Sequence, residues 1–191
     1  MRLFVALQIP DPIRNDYAAL LDELRRFDSK ASGKKPKWVR PENLHVTLKF
    51  IGNTDPAKLD AIVAALAGVR STQEIRLHFR GIGFFPSAKR PRVVWGGMEA
   101  SENLAALAHD VDQQIATLGF PAEERGFTPH LTLARLDPPV MAPELHAAIE
   151  KHVGRDFGEL HSSEFHLIES KLKPSGAEYT TLKSFSFVSK D

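Results

Sequence analysis

The sequence predicts an α+β fold in which helices cover sheets built from both adjacent hairpins and longer crossovers. Three features predict it. Apolar runs of strand length alternate with stripes at helical spacing, Asp-Pro pairs stand where the first two helices should begin, and no flexible-looking stretch divides the series.

In order, residues 3–9 form a short apolar run that reads as a buried strand. Asp11-Pro12 reads as an N-cap with proline at the first helical position, and Ile13, Tyr17, Leu20, Leu21 and Leu24 carry the helix to about Phe27. Residues 29–36 read as an exposed loop containing Gly33, and Trp38-Val39 begins another extended segment. Residues 44–51 read as a strand closed by Gly52. Asp55-Pro56 repeats the capping device before a second helix with the stripe Leu59, Ile62, Val63 and Leu66.

Residues 75–85 alternate as a strand, with Gly81 and Gly83 marking a bend or bulge. Val93-Val94-Trp95 opens the next strand, whose end Gly96-Gly97 weakens. Ser101 reads as the cap of a third helix with the stripe Leu104, Leu107, Ala108, Val111, Ile115 and Leu118. A strand follows over 131–136, then a helix opened by Pro143 and running to about His152, then strands over 165–172 and 182–188. Nothing resembles a linker, so residues 1–191 are expected to form one domain.

Composition narrows the function classes. With 25 Lys+Arg against 24 Asp+Glu the net charge is +1, which gives no support to bulk coating of nucleic acid but permits a local basic patch. No apolar stretch approaches the roughly 20 residues that span a bilayer, and the apolar start is cut short by Gln8 and Pro10-Asp11. The absence of Cys removes disulfides, thiolate metal sites and thiol nucleophiles. The expectation is a cytoplasmic domain, monomeric and without membrane contact.

The most informative feature is a tetrapeptide that occurs twice, His45-Val46-Thr47-Leu48 and His130-Leu131-Thr132-Leu133. Random ordering of this composition gives roughly 0.04 copies, so one copy would mean little and two are a signal. On a strand, residues two apart share a face, so each copy presents one imidazole beside one hydroxyl while Val46, Leu48, Leu131 and Leu133 face apolar packing. Brought side by side, the two strands would offer two imidazoles and two hydroxyls. An imidazole titrates near 6.5, so one ring can accept a proton while the other donates one. That is what transfer at a phosphodiester needs, and threonine hydroxyls can donate to the non-bridging oxygens without a metal.

These residues resemble the two-histidine phosphoesterase superfamily, specifically its LigT-like RNA 2′,3′-cyclic phosphodiesterases. The segments 40–52 and 127–135 are similar to the family's two motifs with their flanks, and the opening residues 2–6 and closing residues 170–185 resemble its ends. The resemblance implies a bilobal α+β fold with two pseudo-symmetric lobes of mainly antiparallel sheet, helices outside and a central cleft. It implies metal-independent hydrolysis of a 2′,3′-cyclic phosphate to a 2′-phosphate, with RNA ends or nucleotides as partners, no cofactor, and 2′-5′ RNA ligation as a further activity. By motif position His45 would be the general acid, His130 the general base, and Thr47, Thr132 and Arg135 the phosphate-binding groups. Arg135 lies five residues from His130, which simple alternation places on the opposite face, so a bulge or the strand's end must re-aim it. Alternative readings are another two-histidine phosphodiesterase acting on small nucleotides, or a non-catalytic module that binds RNA ends.

Basic segments at Lys30, Lys34, Lys35, Lys37 and Arg40, and at Lys89, Arg90 and Arg92, could steer RNA or simply be solvated loops. Trp38, Phe84 and Tyr179 could stack on a base, although core packing is the commoner use of any one aromatic. His78, His109, His146, His152, His161 and His166 make no H-E-x-x-H or similar spacing, which argues against a zinc hydrolase. No glycine loop precedes a Lys-Ser/Thr pair, so triphosphate binding has no support.

Overall fold

The computed structural model describes residues 1–28, 35–70, 73–124, 126–174 and 176–187; Lys30, Gly33, Lys34 and Val188 lie outside them. Two antiparallel sheets organise the chain. The first has the strand order β3-β1-β8-β9, built from β1 (Arg2–Gln8), β3 (His45–Asn53), β8 (Glu164–Lys173) and β9 (Gly176–Ser186). The second has the order β2-β6-β5-β4-β7, built from β2 (Lys37–Trp38), β4 (Ile75–Phe85), β5 (Val93–Ala100), β6 (Leu131–Arg135) and β7 (Asp156–Ser162).

Each sheet buries one face against helices. Helix α1 (Asp11–Arg25) follows β1 of the first sheet but covers the second. Its Tyr17 ring stacks on Phe157 of β7 at 4.0 Å and meets Phe79 of β4 edge-on at 6.4 Å. Helix α3 (Asn103–Ala116) follows β5 of the second sheet but packs on β3 of the first. Helix α2 (Leu59–Ala67) lies against α3 and β9, and α4 (Pro143–Glu150) against β4 and α1. Leu3, Val5 and Leu7 of the first sheet and Leu77, Phe79 and Val94 of the second belong to one continuous apolar cluster.

Several local expectations need correction. Asp11 does not cap α1, because Pro10 holds the capping position without a side-chain bond and Asp11 instead pairs with Arg14 one turn on. Ser101 does not cap α3 either: its hydroxyl accepts from the Arg76 N–H of β4, and Glu102 precedes the helix. Asp55 does cap, its carboxylate accepting from Ala57 N, but it opens a single 3₁₀ turn (Pro56–Lys58) that leads into α2. Gly96-Gly97 does not end β5, which continues to Ala100. A Cβ at Gly96 would lie 2.7 Å from the Tyr17 hydroxyl and one at Gly97 2.5 Å from the Arg80 carbonyl, so these glycines serve close approach rather than strand termination. Leu118 lies beyond the end of α3, and α4 stops at Glu150, leaving His152 to bond Glu23 of α1.

Strand β7 has no counterpart in the sequence reading. Its buried residues Phe157 and Leu160 are three apart, because Gly158 adopts φ +96° beside a register shift in its pairing with β4. That breaks the two-residue period by which strands are recognised. Strand β9 begins at Gly176, earlier than expected, since Phe185 is its only fully buried apolar residue.

Candidate active site

The first tetrapeptide opens β3 and the second straddles the start of β6, His130 standing one residue before the strand. Pairing fixes which way their side chains point. His45, Thr47 and Phe50 lie opposite Gln8, Ala6 and Phe4, three β1 residues at alternate positions and therefore on one face. Leu48 is skipped in the register, so the chain gains a residue there and Phe50 returns to the histidine face. The second copy behaves identically: Thr132 pairs with Trp95 and Arg135 with Val93, while Leu133 is skipped opposite the step from Val94 to Trp95. The bulge required to re-aim Arg135 is therefore present, and it occupies the same place in both copies.

Both imidazoles are held in the same way. His45 Nδ1–H donates to the Asn43 carbonyl at 2.7 Å, and His130 Nδ1–H donates to the Thr128 carbonyl at 3.0 Å. Each bond fixes the tautomer that leaves Nε2 as the working atom. Asn43, buried in the short turn Pro41–Asn43, anchors this arrangement by donating its amide to the Ala177 carbonyl of β9 at 2.8 Å. Sequence reasoning did not single out Asn43. Its signal is the carbonyl two residues before each histidine, visible only once the turn geometry is known.

The environments of the two rings differ. His130 is exposed, whereas His45 is partly covered by Phe4, with ring centroids 4.6 Å apart, and by Tyr179, at 5.3 Å and 73°. Burial holds His45 below the usual imidazole value; its bond to Asn43 opposes this, and the charge of His130 lowers it further. That last influence reaches His45 from a ring on the other sheet. Tyr179 links the remaining cations: burial raises its hydroxyl, and Arg2 and Arg135 both pull the value down. Arg135 shares a sheet face with Thr132, and its charge is felt at Tyr179. Among the described residues neither motif threonine, both half-exposed, hydrogen-bonds through its hydroxyl, and Arg135 has no ion-pair partner.

Phe4, Ala6 and Ile168 form a small apolar floor separate from the main core, with Tyr179 against it. Beyond Phe4 the Phe50 ring lies parallel at 6.2 Å, 51% exposed, with the Arg2 guanidinium 5.0 Å from its centroid. They border a shallow pocket of about 520 Å³ shared with Gly52, Asn53, Ser170 and Leu172. Phe4, Phe50 and Arg2 went unnoticed in the sequence as site residues; the unpredictable bulge at Leu48 is the reason for Phe50.

The other aromatic candidates divide. Tyr179 joins the site. Phe84 stacks on His146 at 4.7 Å, and the Trp38 indole N–H donates to Asp28 at 3.1 Å, so neither is brought to the histidines. His78 pairs with Asp156 of β7, His161 with Glu159 of β7 and with Glu74 just before β4, and His166 bonds Ser184. Among the described residues no group of three or more His, Asp or Glu is arranged to hold a metal ion, and no helix is long and apolar enough to cross a membrane.

Comparison with known proteins identifies the family. The family model described as "2′-5′ RNA ligase superfamily" matches residues 9–173. A protein of Archaeoglobus fulgidus named RNA 2′,3′-cyclic phosphodiesterase is 38% identical, the match covering 97% of this chain and 99% of that one. A protein of the same name from Methanocaldococcus jannaschii is 34% identical over 97% and 100% of the two chains. Among solved structures, TT0787 of Thermus thermophilus superposes with a TM-score of 0.78 at 31% identity, and E. coli LigT complexed with 3′-AMP with 0.76 at 27%, each covering 98% of both chains. Fold, doubled motif and near full-length similarity thus lead to one assignment: the chain belongs to the 2′-5′ RNA ligase superfamily, alongside the LigT-like proteins its tetrapeptides resemble.

Proposed function

We propose that this protein hydrolyses the 2′,3′-cyclic phosphate of RNA ends to a 2′-phosphate, without a metal, by paired-histidine acid–base catalysis. The observation that carries the reading is a pair of identically tethered imidazoles, one on each sheet, each held by its Nδ1–H so that Nε2 is the working atom; the lowering of His45 by the His130 charge supports their acting together. The relatives named RNA 2′,3′-cyclic phosphodiesterase support the substrate class. The whole chain, residues 1–191, acts in this reading as one bilobal unit with the phosphate between the sheets.

In the reaction, one Nε2 takes a proton from water as the oxygen attacks phosphorus. The bond from phosphorus to the 3′ oxygen breaks, and the other imidazole donates its Nε2 proton to that oxygen, leaving a 3′-hydroxyl and a 2′-phosphate monoester. Thr47 and Thr132 donate to the non-bridging oxygens, and the Arg135 guanidinium offsets the charge that develops there. Motif position makes His45 the acid and His130 the base. One observation favours the reverse polarity: burial keeps His45 neutral more readily, which suits a base until a bound phosphate anion pulls its value back up.

Hydrolysis of a nucleoside 2′,3′-cyclic phosphate with excess chelator tests the proposal. Turnover should survive chelation and fall on the order of 10²- to 10⁴-fold in His45→Ala and in His130→Ala. Loss with chelator, or retention in either variant, would refute it. A p-nitrophenyl phosphodiester then assigns polarity, because its leaving group needs no proton: the histidine whose Ala variant keeps activity on that ester is the acid.

A further inference from the structure

The exposed face of the second sheet carries more than the phosphate site. Cross-strand pairing lays it out in rows that step away from His130. The first row is Thr132, Trp95 and Gly83, and the second is Lys37, Arg135, Val93 and Phe85, all paired neighbours on one face. Beyond the second row the hairpin between β4 and β5 turns over, carrying Lys89 and Arg90, both exposed.

These rows hold flat rings on β5 and β4, Trp95 and Phe85, beside cations on β2 and β6, Lys37 and Arg135. Trp95 lies against the sheet because Gly83 and Gly97 leave room for it: a Cβ at Gly83 would stand 2.7 Å from the indole Cζ2, and one at Gly97 3.0 Å from Cζ3. The indole is thus a half-exposed shelf beside the threonine of the second motif. Phe85 is 62% exposed, an unusual position for a large ring with no covering element among the described residues. Residues 85–93 contain Lys89, Arg90 and Arg92 and no carboxylate, in a chain whose net charge is only +1; Asp137 is the nearest acid in sequence to Arg135.

The opposite end of the same face is mixed. There Glu99 and Asp156 flank His78, and Glu159 and Glu74 flank His161, with Arg76 and Arg80 among them. A polyanion on this sheet therefore finds, among the described residues, cations without neighbouring carboxylates in one direction, and cations matched by carboxylates in the other. Rings that accept any base, set beside cations on one face, are the recognition chemistry of single-stranded nucleic acid.

We propose that this face is the track for the RNA strand attached to the reacting end, with bases on Trp95 and Phe85 and phosphates on Lys37, Lys89 and Arg90. The inference rests on the phosphodiesterase reading and adds where the body of the RNA lies and which residues outside the phosphate site hold it.

The test compares a nucleoside 2′,3′-cyclic phosphate with a pentaribonucleotide ending in the same group. The pentamer should be favoured in kcat/KM by on the order of 10-fold or more, from one or two stacked bases and the added phosphate contacts. Phe85→Ala should remove at least about 5-fold of that preference. Lys89→Ala/Arg90→Ala should flatten the salt dependence of the pentamer by about 1.4 in log–log slope, two phosphate contacts on a single strand. Both should turn over the nucleoside as the parent does. A pentamer no better than the nucleoside, or a preference that survives these variants and is lost instead in Phe50→Ala, would overturn the track. Binding of a labelled pentamer with a terminal 2′-phosphate separates the two claims. Variant-sensitive binding without any turnover refutes the catalytic reading alone, and binding indifferent to both variants refutes the track alone.

Discussion

Lys49 stands in the first motif strand, yet the bulge at Leu48 turns it away from the histidines and into the core. Its ammonium meets Asp112 of α3 at 2.5 Å and donates to the Pro121 carbonyl at 2.7 Å, while Asp112 also accepts from Glu123 N at 3.1 Å. The side chains are only 6% and 11% exposed, so water cannot replace a missing partner. Lys49→Met strands a buried carboxylate and should cost about 3 kcal/mol, the low end for such a break because Glu123 N–H still solvates Asp112. In a chain of 191 residues that is a fall in Tm of about 6 to 12 °C. The double variant Lys49→Met/Asp112→Leu removes both charges and loses only the two backbone hydrogen bonds, about 1 to 2 kcal/mol in all. Urea unfolding followed by circular dichroism on the four proteins of the cycle gives the coupling, expected at about 2 kcal/mol or more. A Lys49→Met cost below about 1 kcal/mol, or strict additivity, would show that the pair is solvated and the argument mistaken.

Two further expectations concern the core and pH. Gly96→Ala drives a methyl into the fully buried Tyr17 hydroxyl and should cost about 1 to 3 kcal/mol by denaturant titration; Tyr17→Phe, which removes a hydroxyl lacking a partner among the described residues, should restore most of it, and a failure to rescue would locate the clash elsewhere. Burial lowers both His45 and His166 in the folded protein, so near pH 6.5 the unfolded chain binds more protons and unfolding free energy must fall as pH drops below about 6.5, until the folded-state values are passed. His161, raised by Glu74 and Glu159, works in the opposite sense but is exposed and screened. Denaturant midpoints measured across that range that stayed flat or rose on acidification would contradict the burial of the two rings.

What the sequence reveals here depends on regular periods. The strand over 75–85 and the helical stripe from Leu104 to Ile115 were legible because buried residues recur at their proper spacing. The histidines and threonines were legible for a different reason, repetition, which needs no structure to notice. What escaped are the consequences of single extra residues. The skipped Leu48 and Leu133 carry Phe50 and Arg135 onto the working face, and Gly158 hides β7. Asp11 and Ser101 do not cap because each side chain has a different partner, Arg14 in one case and the Arg76 N–H in the other. Such competition is decided by three-dimensional neighbours and leaves no trace in local composition.

The crossing of α1 and α3, each leaving one sheet to roof the other, has a mechanical outcome. Neither half can swing without dragging the opposite half's roof, so opening between the sheets would shear a shared layer of leucines, valines and aromatics. Catalytic spacing is then inherited from interior volume. Trimming Leu107 or Val111 of α3, both buried, should register as slower turnover even where the protein remains folded, because that packing sets how the two sheets lie against each other.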